Sequence, residues 1–330
     1  MAPEIWLPSE RSGGTRQKAL IHYICGNPGL IEYYTDFLSH VRGLLDKIET
    51  DTAYDIYGTN LLGFSDDDHE PFTSKNKPWD LEGQIEGTYD IVAAKGKGYD
   101  FVILMGHSVG SFITVEIFHR HMKNPERAPH LKLRHGFLIC PTLTHLARSS
   151  NGVQFELLRR FIPFLDTAAY LLARLLLGLF SVASVTWIVQ RLLGFTPASA
   201  DVTARWLKSR DGVLQAVHLG LTELEMITEE KWNDDLWETT GEENGVPKFF
   251  LFYAKKDHWI HDDERDGIVE KRGDKVRIVQ DEGDIPHAFC TREGKLVIET
   301  FVAVANNSDA SLEVARRVCG WVEEIEAAKK

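Results

Sequence analysis

A serine, an aspartate and a histidine stand in that order along the chain, each just beyond an apolar run. Ser108 lies in Gly106-His107-Ser108-Val109-Gly110, directly after Phe101-Val102-Ile103-Leu104-Met105. A serine hydroxyl is a weak nucleophile until a base takes its proton, and the base needs a carboxylate to orient it. Asp257 is a candidate for the carboxylate, in Lys255-Lys256-Asp257-His258-Trp259 after the run Phe249–Tyr253. His287 is a candidate for the base, in Asp284-Ile285-Pro286-His287-Ala288-Phe289 after Val276–Val279. Serine, acid and histidine is the order in which a doubly wound sheet delivers a hydrolytic triad. His287 is expected to take the Ser108 proton and return it to a leaving alcohol, while Asp257 fixes the ring tautomer and favours the imidazolium. His258 and His261 compete for the base but lie beside the acid, not after the next strand. Asp262, Asp263 and Glu229 are weaker candidates for the carboxylate.

The elements around Ser108 must form a sharp turn. The apolar run reads as a strand, and Phe112-Ile113-Thr114-Val115-Glu116-Ile117-Phe118 can wind as a helix. Strand, turn and helix in that order make a nucleophile elbow. Side chains at positions 106 and 110 would collide with the neighbouring strand and helix, hence glycine at both. Charge developing on the attacked carbonyl needs two backbone N–H donors. Val109, next to the nucleophile, is expected to give one. The loop Gly26-Asn27-Pro28-Gly29 after the first core strand should give the other, and Asn27 is the candidate because Pro28 has no N–H.

The remaining elements alternate. Ala19–Cys25 and Tyr54–Gly58 read as strands, with a helical spacing of apolar residues over Tyr33–Ile48 between them. A polar loop spans Gly63–Lys77 and carries Asp66-Asp67-Asp68, read as a solvated acidic cluster. Leu81–Ala94 is a helix candidate and Leu133–Cys140 a strand closed by Pro141. Thr203–Glu225 and Glu229–Glu238 look helical, Lys248–Ala254 and Lys275–Val279 read as strands, and a final helix opens at Ser311-Leu312. This alternation predicts an α/β fold with a mostly parallel sheet and helices on both faces.

With 330 residues and 43% hydrophobic content, the chain can form one large α/β domain or two smaller ones. A formal net charge of -12 argues against nucleic acid as a partner. Cys25, Cys140, Cys290 and Cys319 lack metal-ligand spacing and read as reduced thiols of an intracellular protein. No metal or cofactor is called for. Met1–Arg16 is polar and has no apolar signal-peptide core, which points to the cytosolic side. In that setting the sequon Asn306-Asn307-Ser308 reads as a polar loop.

Between Pro141 and Val246 the character changes. Residues 155–195 are strongly apolar, and Leu175–Gln190 carries no charge. A spanning helix needs about 20 mostly apolar residues, so one clean span is not expected. Three readings stand. The stretch is a buried helix pair in a cap, a hairpin dipping into one leaflet or into the monolayer of a lipid body, or a true span. Arg174 and Arg191 could reach back to an interface. The expected organisation is a single domain with core segments 17–148 and 247–330 and a largely helical insert over 149–246.

Several of these segments together resemble one family. They are Gly26-Asn27-Pro28-Gly29 with Tyr33-Tyr34, Leu81-Glu82-Gly83-Gln84-Ile85, and Gly106-His107-Ser108-Val109-Gly110-Ser111. Pro141-Thr142 with Ser149-Ser150-Asn151-Gly152, Asp257-His258-Trp259 and Ile285-Pro286-His287-Ala288-Phe289 complete the set. They look like the lipid droplet-associated hydrolases, a branch of the α/β-hydrolase fold. The resemblance implies a serine ester hydrolase on lipid droplets or the endoplasmic reticulum, with a role in lipid storage. Sterol esters or triacylglycerols are the implied substrates, Ser108, Asp257 and His287 the triad, and the apolar insert the part that meets the droplet. The three aspartates at 66–68 depart from the short His/Gly segment typical of that family. Two rivals remain at this stage: a droplet-organising protein that keeps the fold with little catalysis, and a soluble esterase or thioesterase with a closed apolar cap.

Overall fold

The computed structural model describes residues 3–10, 16–238, 245–291 and 310–329. The sequon at Asn306 lies outside them. Among the described residues, seven strands form one sheet in the order β1-β3-β2-β4-β5-β6-β7. They are β1 (Glu4–Leu7), β2 (Gln17–Ile24), β3 (Thr52–Thr59), β4 (Phe101–His107), β5 (Leu133–Ile139), β6 (Phe249–Tyr253) and β7 (Arg277–Gln280). Only β1 runs antiparallel, against β3, and the other pairs are parallel. The polar N-terminus therefore supplies an edge strand that its composition did not suggest.

Every residue of β4 is buried, and so is every residue of β6. That is the pattern of strands covered on both faces, where each large apolar side chain contributes roughly 1.5–3 kcal/mol by leaving water. The chain steps from β2 outward to β3, then back across β2 to β4. This reversal opens a crevice between the ends of β2 and β4, the place where open α/β sheets bind ligands. Ile24 pairs with Gly106 there, so the loop after β2 lies beside the turn after β4.

The helices are α1 (Thr35–Leu45), α2 (Leu81–Lys95), α3 (Val109–Lys123), α4 (Ser150–Phe161), α5 (Leu165–Leu177), α6 (Val182–Leu193), α7 (Pro197–Lys208), α8 (Gly212–Met226), α9 (Asp234–Trp237), α10 (Asp262–Arg272) and α11 (Ala310–Ala328). Two expectations need correction. Thr203–Glu225 is not one helix but the end of α7 and most of α8, broken at Ser209–Asp211, where Asp66 accepts from the backbone N–H groups of Arg210 and Asp211. Only Asp234–Trp237 of Glu229–Glu238 is helical. The same Asp66 contacts revise the reading of the acidic cluster as purely solvated.

Helices α4–α9 fall between β5 and β6 and form two tiers. The inner pair, α7 and α8, is bonded to the sheet-bearing part. Tyr33 Oη lies 2.7 Å from Thr203 Oγ1, Gln215 exchanges two hydrogen bonds with the Trp79 backbone, and Thr222 accepts from Leu81 N. The outer pair, α5 and α6, packs on α8 and α7. Val185 and Val189 of α6 meet Ala200 and Ala204 of α7 in a small separate core. Most other large apolar side chains of the outer tier face solvent, among them Phe164 (83% exposed), Leu179 (94%), Trp187 (60%) and Leu192 (78%). Residues 155–195 are thus the end of α4 followed by a helix pair, α5 and α6, that is buried along one stripe only. No described helix is long and apolar enough to cross a membrane by itself, and α5 and α6 meet at 107°.

Candidate active site

Ser108 occupies the turn between β4 and α3 with φ 54° and ψ −123°. A non-glycine residue in that region is strained and persists only where its surroundings enforce it. The two flanking glycines do so. A Cβ on Gly106 would lie 2.2 Å from Gly110 O, and one on Gly110 would lie 2.3 Å from Ile24 O. The elbow is therefore clamped between its own helix and β2, as the spacing predicts. Ser108 N donates to Ile139 O at 2.9 Å, which fixes the turn to β5 as well.

The structure brings the three expected side chains together. Ser108 Oγ lies 2.9 Å from His287 Nε2, and His287 Nδ1 lies 2.6 Å from Asp257 Oδ2. Asp257 is set by the loop after β6, where its other oxygen accepts from Trp259 N at 2.8 Å. Its side chain is nearly buried, and that of His287 is 12% exposed. The competing residues take other tasks. His258 gives its carbonyl to Asn151 N, and His261 caps α10 by accepting from Asp263 N. Asp262 pairs with Arg265, and Asp263 lies 3.5 Å from Arg148. Glu229 lies in the loop between α8 and α9.

Val109 opens α3, so its backbone N–H belongs to the first turn and needs no intrahelical partner. Asn27 lies in the loop after β2, beside the elbow: a Cβ on the preceding Gly26 would stand 3.2 Å from Ser108 Cβ. The Asn27 side chain turns toward the insert instead. Its Nδ2 donates to Ala216 O and to Glu223 Oε1, each at 2.9 Å. Glu223 is 6% exposed, and burial pushes its carboxyl up to about 8, against the pull of the Asn27 hydrogen bond. Gln215, Thr222 and Glu223 were not singled out in the sequence, because polar residues on an amphipathic helix normally face water. Only their spacing on one side of α8 could have marked them.

Among the described residues, two side-chain groups have metal-ligand chemistry: Cys140 with Asp257 and His287, and Asp66 with His69 and Asp211. In the first, the Nδ1 atom that could ligate is already hydrogen-bonded to Asp257. In the second, the Arg210 guanidinium donates to Asp211 and already supplies the positive charge. Neither fits an ion better than its present partners. All four cysteines are free thiols.

A hydroxyl, an imidazole and a carboxylate in one hydrogen-bonded line, at the end of a strand and the start of a helix, can perform nucleophilic acyl transfer. Comparison with known proteins narrows the class. The sequence model of the family described as lipid-droplet associated hydrolase matches residues 17–290. The chain belongs to this family. The lipid droplet-associated hydrolase of Rattus norvegicus is 26% identical over 295 residues, covering 85% of this chain and 82% of that protein. The protein of the same name from Gallus gallus is 22% identical over 315 residues, covering 93% and 85%. Among solved structures, a lipase-esterase related protein from Clostridium acetobutylicum superposes with TM-score 0.52 at 12% identity, covering 97% of this chain and 99% of that one. A type II thioesterase from the borrelidin biosynthetic cluster gives 0.52 at 13% identity, covering 97% and 96%. These likenesses establish the α/β-hydrolase fold, and the lipid-droplet associated hydrolase family supports a hydrolase of lipids.

Proposed function

We propose that this chain is a serine hydrolase of carboxylic esters at the surface of lipid droplets. The observation that carries the reading is the unbroken line Ser108 Oγ, His287, Asp257 at 2.9 and 2.6 Å. In the reaction, His287 Nε2 takes the Ser108 proton as the oxygen attacks the ester carbonyl. The oxyanion is held by the backbone N–H groups of Val109 and Asn27. Asp257 stabilises the imidazolium, which then gives its proton to the departing alcohol. A water activated in the same way releases the acid from the acyl-enzyme. Sterol esters and triacylglycerols are the substrates proposed from the motif resemblance, and the proposed role is in lipid storage.

The outer tier of the insert supports the location. Phe164, Leu175, Leu179, Trp187 and Leu192 are each at least 60% exposed, a concentration of exposed apolar side chains that marks an interaction surface. Arg160, Arg174 and Arg191 border it at helical spacing from Leu157, Leu171 and Trp187. In a chain of net charge -12, a cationic rim around an apolar face suits a phospholipid surface. The reading extends to the cytosolic face of the endoplasmic reticulum.

Hydrolysis of a short-chain nitrophenyl ester tests the chemistry. Purified Ser108→Ala should lose activity and labelling by a fluorophosphonate probe, and full activity in that variant would overturn the reading. The exposed face also favours a second reading, a droplet-organising protein with little catalysis. Rescue of droplet morphology by Ser108→Ala as well as by wild type would support that one.

A further inference from the structure

Behind the elbow runs a second line of hydrogen bonds that proton transfer does not use. Gly26 N donates to Tyr34 Oη at 3.1 Å. The same hydroxyl lies 2.9 Å from His107 Nδ1, and His107 Nε2 lies 2.9 Å from the carbonyl oxygen of His287. A carbonyl only accepts, so Nε2 must carry a hydrogen. Burial, with the neighbouring His287 as the next cause, holds His107 down at about 3, so the ring is neutral and has one N–H. Nδ1 is then the acceptor, and the Tyr34 hydroxyl donates to it while accepting from Gly26. Every donor meets an acceptor. The other tautomer would set the Nε2 lone pair against a carbonyl lone pair across 2.9 Å.

His287 has need of such a hold. It lies outside any helix or strand, beyond the edge strand β7. Its ring is oriented by Asp257, but that bond does not fix the backbone from which the ring projects. His107 meets this backbone directly, and its ring packs against the ring of His287 with centroids 5.1 Å apart and edge-on to Phe289 at 5.3 Å.

We propose that His107 is a positioning residue for His287, and that Tyr34 sets the His107 tautomer that makes this possible. The inference rests on the triad reading. It makes the residue before the nucleophile a clasp between the elbow and the histidine loop. Through Tyr34 and Gly26 the clasp continues to the loop assigned to the oxyanion, so base and oxyanion donor share one support.

Nitrogen-15 NMR of the full-length protein at neutral pH tests the tautomer, whether or not ester is turned over. His107 should show a pyrrole-like Nε2 and a pyridine-like Nδ1, and the reverse pattern or a protonated ring would overturn the proposal. The low-field proton on His287 Nδ1, bonded to Asp257, reports the position of the base. It should shift or broaden in Tyr34→Phe and in His107→Leu, and less in His107→Gln, whose amide can still donate to the carbonyl. An unchanged resonance in folded Tyr34→Phe and His107→Leu, together with wild-type probe-labelling rates, would refute the positioning role. The expected fall in kcat is about threefold to tenfold for Tyr34→Phe and about tenfold to a hundredfold for His107→Leu, with KM little altered, as befits one lost hydrogen bond and one stranded carbonyl. Failure of the wild type to react with the probe would refute the hydrolase reading instead, while the NMR signatures would still decide the clasp.

Discussion

Replacing Glu223 by glutamine should change how stability depends on pH. The carboxyl is buried on α8 and accepts from Asn27 at 2.9 Å. Burial raises it to about 8, while an unfolded glutamate titrates near 4.3. Between those values the folded chain holds a proton that the unfolded chain has released. The sign follows from linkage. The contribution is complete below about pH 4, declines as pH rises toward 8, and is gone above it. The slope is at most about 1.4 kcal/mol per pH unit, and the window bounds the total at about 5 kcal/mol. Glutamine keeps the shape and the acceptor oxygen but cannot ionise. Urea denaturation of wild type and Glu223→Gln at pH 5, 6, 7, 8 and 9 measures the difference. The variant should gain on wild type by about 3 kcal/mol between pH 5 and 8 and by little more from 8 to 9. Parallel curves across that range would refute the claim that this carboxyl is neutral in the folded chain.

Three further outcomes follow from the geometry. Asp257→Asn should leave the fold intact and lower kcat by about 10³-fold or more, because His287 Nδ1 loses its charged partner, and retention of a tenth of the activity would count against the assignment. Gly110→Ala should destabilise the chain by about 3 kcal/mol or prevent folding, since its Cβ would meet the Ile24 carbonyl, and a melting temperature within about 2 °C of wild type would show that the elbow can relax. Leu179→Asp with Trp187→Asp should abolish flotation with phospholipid-coated oil droplets and spare hydrolysis of a soluble ester, because both residues are exposed and lie on the outer tier. Unchanged flotation would remove that face from the docking surface.

Much of the site was legible because its chemistry is tied to local pattern. Ser108, Asp257 and His287 each follow a run of apolar residues that becomes a strand, and strand ends are where a parallel sheet presents side chains together. The glycines at 106 and 110 were readable because only a missing side chain permits so close an approach. What stayed hidden was tertiary. Nothing in the spacing shows that Asn27 would bond to Glu223, 196 positions away, or that Tyr34 would reach His107. The edge strand β1 escaped notice because its four residues alternate in exposure within a polar segment. Helix α9 fell short of its expected length because Glu230, ahead of it, pairs with Lys271 and Arg272 outside any helix. Residues 155–195 defeated the sequence for another reason: apolar content alone does not say which side of a helix finds a neighbour.

The bend between α5 and α6 has a geometrical consequence. At 1.5 Å per residue, helices of 13 and 12 residues reach about 19 and 18 Å, well short of the roughly 30 Å of hydrocarbon in a bilayer. Meeting at 107°, they form a bent pair and not one continuous rod. An oil droplet wears a coat one lipid thick, with no far shore at which a through-going segment could emerge. On the proposal that this chain docks on droplets, a pair of this length would sit within such a coat without having to cross it.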